Sequence, residues 1–214
     1  MPELFTGLDA GRVRRNLESV RERIAAAGRD PSEVELCAAI KYVPAEELPA
    51  LAEAGVELVG ENRAQDLLQK QERHRDLFAW DFIGALQSRK VRDVAPNVRL
   101  IHTVASDSVL RRLERHPVEE VLVEVNVAGE EGKAGIAPAK LGDFIERCPV
   151  RVSGLMTMPP LVERPEENRR WFARLAELAS EHRLERLSMG TTQDFEVAVQ
   201  EGATIVRLGE VLYA

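Results

Sequence analysis

Amine chemistry has few places to reside in this chain, which carries five lysines against twenty-four arginines. Lys70 falls in the polar, helical-looking stretch QDLLQKQERHR, and Lys90 follows Arg89 at a helix start. Lys133 lies in a glycine loop and Lys140 opens another helix. Lys41 alone directly continues an apolar run, LCAAIK. An amine at the rim of an apolar core loses solvation, which lowers its pKa and frees the neutral form to attack a carbonyl and make an imine. The same position also suits a strand-end lysine reaching into water.

A second set of residues suits an anion. The loop Ser188-Met189-Gly190-Thr191-Thr192-Gln193-Asp194 precedes a helix, and Arg207-Leu208-Gly209-Glu210 follows the last apolar run. Polar, glycine-containing loops of this kind hold phosphate through backbone N–H groups and hydroxyls. A single Ser or Thr hydroxyl there serves equally as a helix cap. Other motifs fail. Gly129-Glu130-Glu131-Gly132-Lys133 has two residues between its glycines where a P-loop needs four. No G-x-S-x-G elbow is present. The histidines, His74, His102, His116 and His182, lack metal-ligand spacing, and three of them lie in or beside charged helical stretches that read as surface. Cys37 and Cys148 are far apart and read as reduced thiols. No metal site is expected, and neither a catalytic histidine nor a carboxylate pair stands at matched strand ends.

The elements that must position these residues follow a regular alternation. Asp9 to Gly28 sets Val13, Leu17, Val20 and Ile24 on one helical stripe, closed by Gly28 and Pro31. Strand candidates then run Val34–Ile40, Val56–Val59, Trp80–Ile83, Val98–His102, Glu120–Val127, Val150–Met156, Leu184–Ser188 and Thr204–Leu208. Between them lie helical segments Glu46–Ala54, Ala64–His74, Arg89–Val94, Asp107–Arg115, Pro138–Arg147, Glu166–His182 and Phe195–Glu201. Eight strands, each but the last followed by a helix, predict an α/β fold: a (β/α)8 barrel with an extra N-terminal helix. An open doubly wound sheet is the alternative, but no G-x-G-x-x-G turn marks one. In either architecture ligands sit at the carboxyl ends of the strands. Those ends carry Lys41, Gly60-Glu61-Asn62, Gly84 with Gln87, Thr103, Asn126, Met156, the Ser188–Asp194 loop, and Arg207 with Gly209.

Composition narrows the class. At 214 residues with even composition, the economical reading is one domain over 1–214, the helix at 9–28 and the barrel at 34–214. Net charge is −7 without a separate basic tract, which argues against a nucleic-acid or anionic-membrane partner. No window reaches membrane-span length and the opening lacks a signal-peptide core, so a cytoplasmic protein is expected.

Ordered motifs carry a resemblance: AAIKYVPAEEL, VGENRAQDLLQK, WDFIGALQSRK, IHTV, KAGI, GLMTMPP and LSMGTTQDFEVAVQEGATIVRLG. Together they resemble the pyridoxal-phosphate homeostasis proteins, also called the proline synthetase co-transcribed family, from the first strand to the final residue. The resemblance implies a barrel like the N-terminal domain of alanine racemases, with pyridoxal 5′-phosphate held as an aldimine on Lys41 and Asn62 near the cofactor. By likeness to the wider group of barrel-type enzymes, Arg207 would meet the pyridine nitrogen. Gly209, Glu210 and Thr192 would meet the phosphate, with Ser188 in the same loop. Asp81 stands where the family usually has His, Ala85 where Pro is common, and Thr191-Thr192-Gln193-Asp194 where Met-Ser-x-Asp is usual. The Thr keeps the hydroxyl.

The implied role is to hold, buffer or hand over the cofactor, with apo-enzymes as acceptors and no residue assigned to catalysis. An arginine at the ring nitrogen makes the ring a poorer electron sink. A chain that stops a few residues after strand eight also leaves no room for the second domain with which racemases and decarboxylases complete their sites. The rival is an amino-acid racemase or lyase using the same cofactor; a lysine-imine aldolase would need a base near Lys41. Tyr42 is expected to alternate to the opposite side of the strand, and Tyr213 to lie at a poorly ordered terminus.

Overall fold

Eight short strands carry the architecture: β1 (Glu35–Ala39), β2 (Leu58–Glu61), β3 (Ala79–Phe82), β4 (Leu100–Val104), β5 (Glu120–Glu124), β6 (Arg151–Met156), β7 (Arg186–Thr191) and β8 (Ile205–Leu208). In the computed structural model, which describes residues 4–214, each pairs in parallel with the next, and β8 returns to β1. The closed α/β barrel expected from the alternation is therefore present. Strands buried on both faces read as near-continuous apolar runs, which is why they stood out in sequence. Alternation then divides them. Cys37, Leu58, Leu100, Leu122, Met156 and Ile205 form one cluster within the barrel. Their neighbours Ala38, Val59, Ile101, Val121, Leu155 and Val206 join the larger layer beneath the helices.

The helices are α1 (Ala10–Ala26), α2 (Leu48–Ala54), α3 (Ala64–His74), α4 (Val91–Val94), α5 (Asp107–Leu113), α6 (Leu141–Glu146), α7 (Arg169–Glu181), α8 (Phe195–Gln200) and α9 (Glu210–Tyr213). In α1 the expected stripe of Val13, Leu17, Val20 and Ile24 is buried throughout, each side chain contributing about 1.5–3 kcal/mol. Asp9 caps the helix by accepting the Arg12 N–H at 2.6 Å. The helix packs against α2, α8 and α9, and Asn16 Nδ2 donates to the carbonyls of Leu212 and Ala214 at 3.1 and 3.0 Å. None of the described helices is long and apolar enough to cross a membrane.

Several expected bounds shift, and the shifts have causes. Apolar runs report burial, whereas strands end where ladder hydrogen bonds stop. The fifth strand was expected to reach Val127 but ends at Glu124, after which Val125 bridges Ile136 from the following loop. The seventh was expected over Leu184–Ser188 and instead begins at Arg186 and runs to Thr191. Leu184 belongs to the turn closing α7, its N–H donating to the Ala179 carbonyl at 2.8 Å. Gly190, at φ 90°, allows the strand to continue, and a Cβ there would meet Ala198 at 2.6 Å. The last strand is not followed by bare chain. It enters α9, where Tyr213 is buried, stacks on Phe5 at 5.0 Å and donates to the Ala39 carbonyl at 3.2 Å. The expectation of a poorly ordered Tyr213 is thus corrected: an aromatic side chain in a barrel crevice anchors the end of the chain.

Candidate functional site

A cavity of about 520 Å³ opens at the carboxyl ends of the strands, within the size range of small-molecule sites. Its wall takes Lys41 and Tyr42 after β1, Asn62 after β2, Gly84 after β3, Thr103 from β4 and Glu124 from β5. Met156 ends β6 and Met158 follows it, Thr191 ends β7 and Thr192 follows it, and Arg207 comes from β8, Gly209 from the turn after it and Glu210 from the start of α9. A larger cleft of about 770 Å³ lies at the opposite end, beside Glu35 and Arg99. The groups there pair with one another: Arg99 with Glu35 at 2.6 Å and Arg186 with Glu35 at 3.0 Å. Unsatisfied chemistry lies at the carboxyl end, where parallel barrels place their sites.

Lys41 does not belong to the strand itself. β1 ends at Ala39, Ile40 donates to the Gly60 carbonyl at 3.0 Å, and a turn closes from Val43 N–H to the Ile40 carbonyl. Two expectations change with that turn. The side chain is exposed, so the desolvation inferred from a strand end does not arise. Strand alternation also no longer separates the neighbours, and Lys41 Nζ lies 4.6 Å from the centre of the Tyr42 ring, both residues on the cavity wall. Among the described residues Lys41 makes no ion pair or hydrogen bond. Lys70 is the contrast: it is buried, paired with Glu61 at 2.6 Å and donating to the Ile40 carbonyl at 2.6 Å. Glu61 also accepts the N–H of Asn62 at 2.6 Å, so this buried pair fixes the turn that presents Asn62. Asn62 Oδ1 is buried without a partner. Gly84 permits that approach, since a Cβ there would lie 2.0 Å from the Asn62 carbonyl oxygen.

Across the cavity, Thr192 takes neither of the simple cap roles. The residue before α8 is Asp194, whose Oδ1 accepts the N–H and hydroxyl of Thr191 at 2.8 and 3.1 Å. That folded turn leaves Thr192 at its tip, where Oγ1 accepts the Gly209 N–H at 3.3 Å. The two loops read as anion-holding in sequence therefore meet. Arg207 is buried, donating to the Thr157 carbonyl at 2.9 Å, to Met158 Sδ at 2.9 Å and to Ser188 Oγ. Burial pulls its guanidinium below the usual arginine range, and it stays charged. Ser188, grouped with Thr192 in sequence, does not line the cavity; it is fully buried beneath Arg207. Asn126 instead closes its own loop on Glu130, at 2.8 and 3.1 Å.

Three residues escaped the strand-end reading. Glu124 lines the cavity at 8% exposure, and burial pushes its carboxyl up, with Arg207 opposing. His102 is fully buried between Ser188 and Asp81, and Asp81 is fully buried too. A signal existed for all three. Each is a polar residue one alternation step from an interior apolar one, as in Leu122–Glu124 and Leu100–His102.

Comparison with known proteins places these features. The chain is 41% identical over 218 aligned positions to the pyridoxal phosphate homeostasis protein of Aquifex aeolicus, spanning 94% of this chain and 96% of that one. It is 39% identical to the protein of that name in Pseudomonas aeruginosa, spanning 91% and 90%. The structure of PipY from Synechococcus elongatus PCC7942, with PLP bound, is 32% identical with a TM-score of 0.80, covering 94% of this chain and all of that one. An alanine racemase of Clostridium difficile 630, at 13% identity and a TM-score of 0.72, shares the fold across 96% of this chain and 57% of its own. No family model matches the chain.

Proposed function

The chain belongs to the pyridoxal phosphate homeostasis protein family, and from that premise we propose that its carboxyl-end cavity holds pyridoxal 5′-phosphate on Lys41. The observation that carries the reading is an amine without an ion pair or hydrogen bond among the described residues and a buried guanidinium, both on the wall of a single cavity and delivered by the neighbouring strands β1 and β8. The donor set fits the group. Lys41 offers a primary amine, and the partnerless Asn62 Oδ1 offers an acceptor for a ring hydroxyl. The Thr192 hydroxyl and the backbone amide of Glu210 suit a phosphate, and the Gly209 N–H, donating to Thr192 Oγ1 at 3.3 Å, holds that hydroxyl beside them. When bound, the cofactor supplies an aldehyde that condenses with a primary amine and releases water. Arg207 would face the pyridine nitrogen and, as a fixed cation, keep a proton off it.

The role follows from this arrangement and from the relatives' names. Its task is to hold the cofactor and hand it to apo-enzymes rather than to turn over a substrate. A second reading, an amino-acid racemase or lyase, draws on Glu124 and Tyr42, which place a carboxyl and a phenol on the cavity wall. Borohydride reduction of the purified protein with pyridoxal phosphate, followed by peptide mapping, should find the pyridoxyl group on Lys41. Recovery mainly on Lys90 or Lys133 sinks the assignment. Mixing the holo-protein with an apo-enzyme should restore that enzyme's activity. Exchange of an amino acid's α-deuterium at about 1 per second or faster would establish the second reading instead.

A further inference from the structure

Arg207 is a buried cation without a carboxylate in contact among the described residues. Its donors end on a hydroxyl, a carbonyl and a thioether. A guanidinium so far from water needs its charge offset and its donors held. The hydroxyl leads to an anion two steps away. Ser188 Oγ lies 2.8 Å from His102 Nδ1, and His102 Nε2 lies 3.0 Å from Asp81 Oδ2. Ser188, His102 and Asp81 are all fully buried. Asp81 is also gripped by Arg99, whose Nε and Nη2 donate to its two oxygens at 3.0 and 2.8 Å.

Proton counting gives this file of groups one direction. Arg207 can only donate, so Ser188 Oγ accepts from it and spends its single proton on His102 Nδ1. Nδ1 is then unprotonated, and Nε2 carries the ring proton and donates it to Asp81. The opposite tautomer would set the Nε2 lone pair against a carboxylate oxygen at 3.0 Å. It would also aim two donors at Ser188 and leave the serine proton without its acceptor in the file. Burial holds His102 below its ordinary pKa, which keeps the ring neutral. Burial opposes the Asp81 charge, but its hydrogen bonds from His102 and Arg99 prevail and keep the carboxyl below the usual range.

We propose that Asp81, acting through His102 and Ser188, is the positioning residue for Arg207: it locks His102 in the Nε2–H form, so that Ser188 presents a lone pair and the guanidinium is held with one edge toward the cavity. The other end of the file joins the ion cluster at the barrel floor, since Arg99 is shared between Asp81 and Glu35. Arg207 is therefore oriented from the amino end of the barrel. The tautomer is a property of the chain alone; the consequence for ligand rests on the cofactor reading above.

Long-range 1H–15N correlation of the imidazole in ligand-free protein at neutral pH tests the first part. Wild type should show a pyrrole-type Nε2 and a pyridine-type Nδ1 at His102, and Asp81→Leu, which leaves Nε2 without an acceptor, should move the proton to Nδ1. A wild-type ring protonated at Nδ1 or at both nitrogens, or a folded Asp81→Leu protein with an unchanged tautomer, overturns the proposal. Ser188→Ala and Ser188→Thr test the second part and replace Asp81→Leu should that variant not fold. Pyridoxal phosphate affinity should fall about tenfold in Ser188→Ala, as for loss of a hydrogen bond to a charged group, and recover in Ser188→Thr. Equal affinity in wild type and Ser188→Ala overturns the positioning role. Wild-type protein that binds no pyridoxal phosphate overturns the cofactor reading and leaves the tautomer result to stand or fall alone.

Discussion

The two ends of the barrel are built to opposite rules. At the amino end, Glu35 holds Arg99 and Arg186, while Arg186 also reaches Glu120 at 3.3 Å. At the carboxyl end, Lys41 lies over the Tyr42 ring with no ion pair or hydrogen bond among the described residues, Asn62 Oδ1 is orphaned, and Glu124 lies buried beside a cation it does not touch. The same difference separates two lysines of one chain: Lys70 is satisfied and buried, Lys41 unsatisfied and exposed. Charges that neutralise one another stabilise a fold, and charges left open await a ligand. A barrel can divide the tasks this way because its loops at one end tolerate unmet polar groups while the ladder and the other end supply stability.

Substitutions at each end should separate the two tasks. Lys41→Ala should produce the largest change, complete loss of the borohydride-trappable chromophore, with thermal unfolding within about 0.5 kcal/mol of wild type, as for an exposed site. A parallel loss of stability would mean that the amine serves the fold. Lys70→Met should do the reverse, stranding Glu61 as a buried charge at a cost of about 3–5 kcal/mol in urea unfolding. Thr192→Ala comes next. Pyridoxal phosphate binding should weaken by about 1.5–3 kcal/mol while pyridoxal binding stays near wild type, and equal losses for both ligands would return Thr192 to a purely structural role. Glu35→Gln should have the smallest effect, about 1 kcal/mol or less of stability because the pair is partly exposed and screened, with pyridoxal phosphate affinity unchanged.

Much of this architecture is legible in the amino-acid sequence. The stripe Val13, Leu17, Val20 and Ile24 reads as a helix because burial recurs at the helical period. The runs LCAAI and VLVEV read as strands because a two-face-buried strand is apolar throughout. Lys41, Thr192 and Arg207 line one cavity because parallel strands deliver whatever lies at their carboxyl ends to one end of the barrel. What escaped had a common cause. Ser188, His102 and Asp81 were each visible as residues, but they lie on three strands that are distant in sequence, and the hydrogen bonds joining them exist only when all three strands are brought together. Tyr42 was placed on the wrong side because a turn, invisible in the apolar pattern, begins one residue before Lys41.

The sequence by itself determined the fold class and that Lys41 follows a strand at the carboxyl end of the barrel, because periodicity and strand order are local properties repeated along the chain. Only the tertiary structure decided which polar groups are satisfied. It closed Lys70 onto Glu61 and left Lys41 open, buried Tyr213 against Ala39, and threaded Asp81, His102 and Ser188 beneath Arg207. Hydrogen bonds and ion pairs depend on distances of about 3 Å between residues tens of positions apart, and those distances exist only once the barrel has closed.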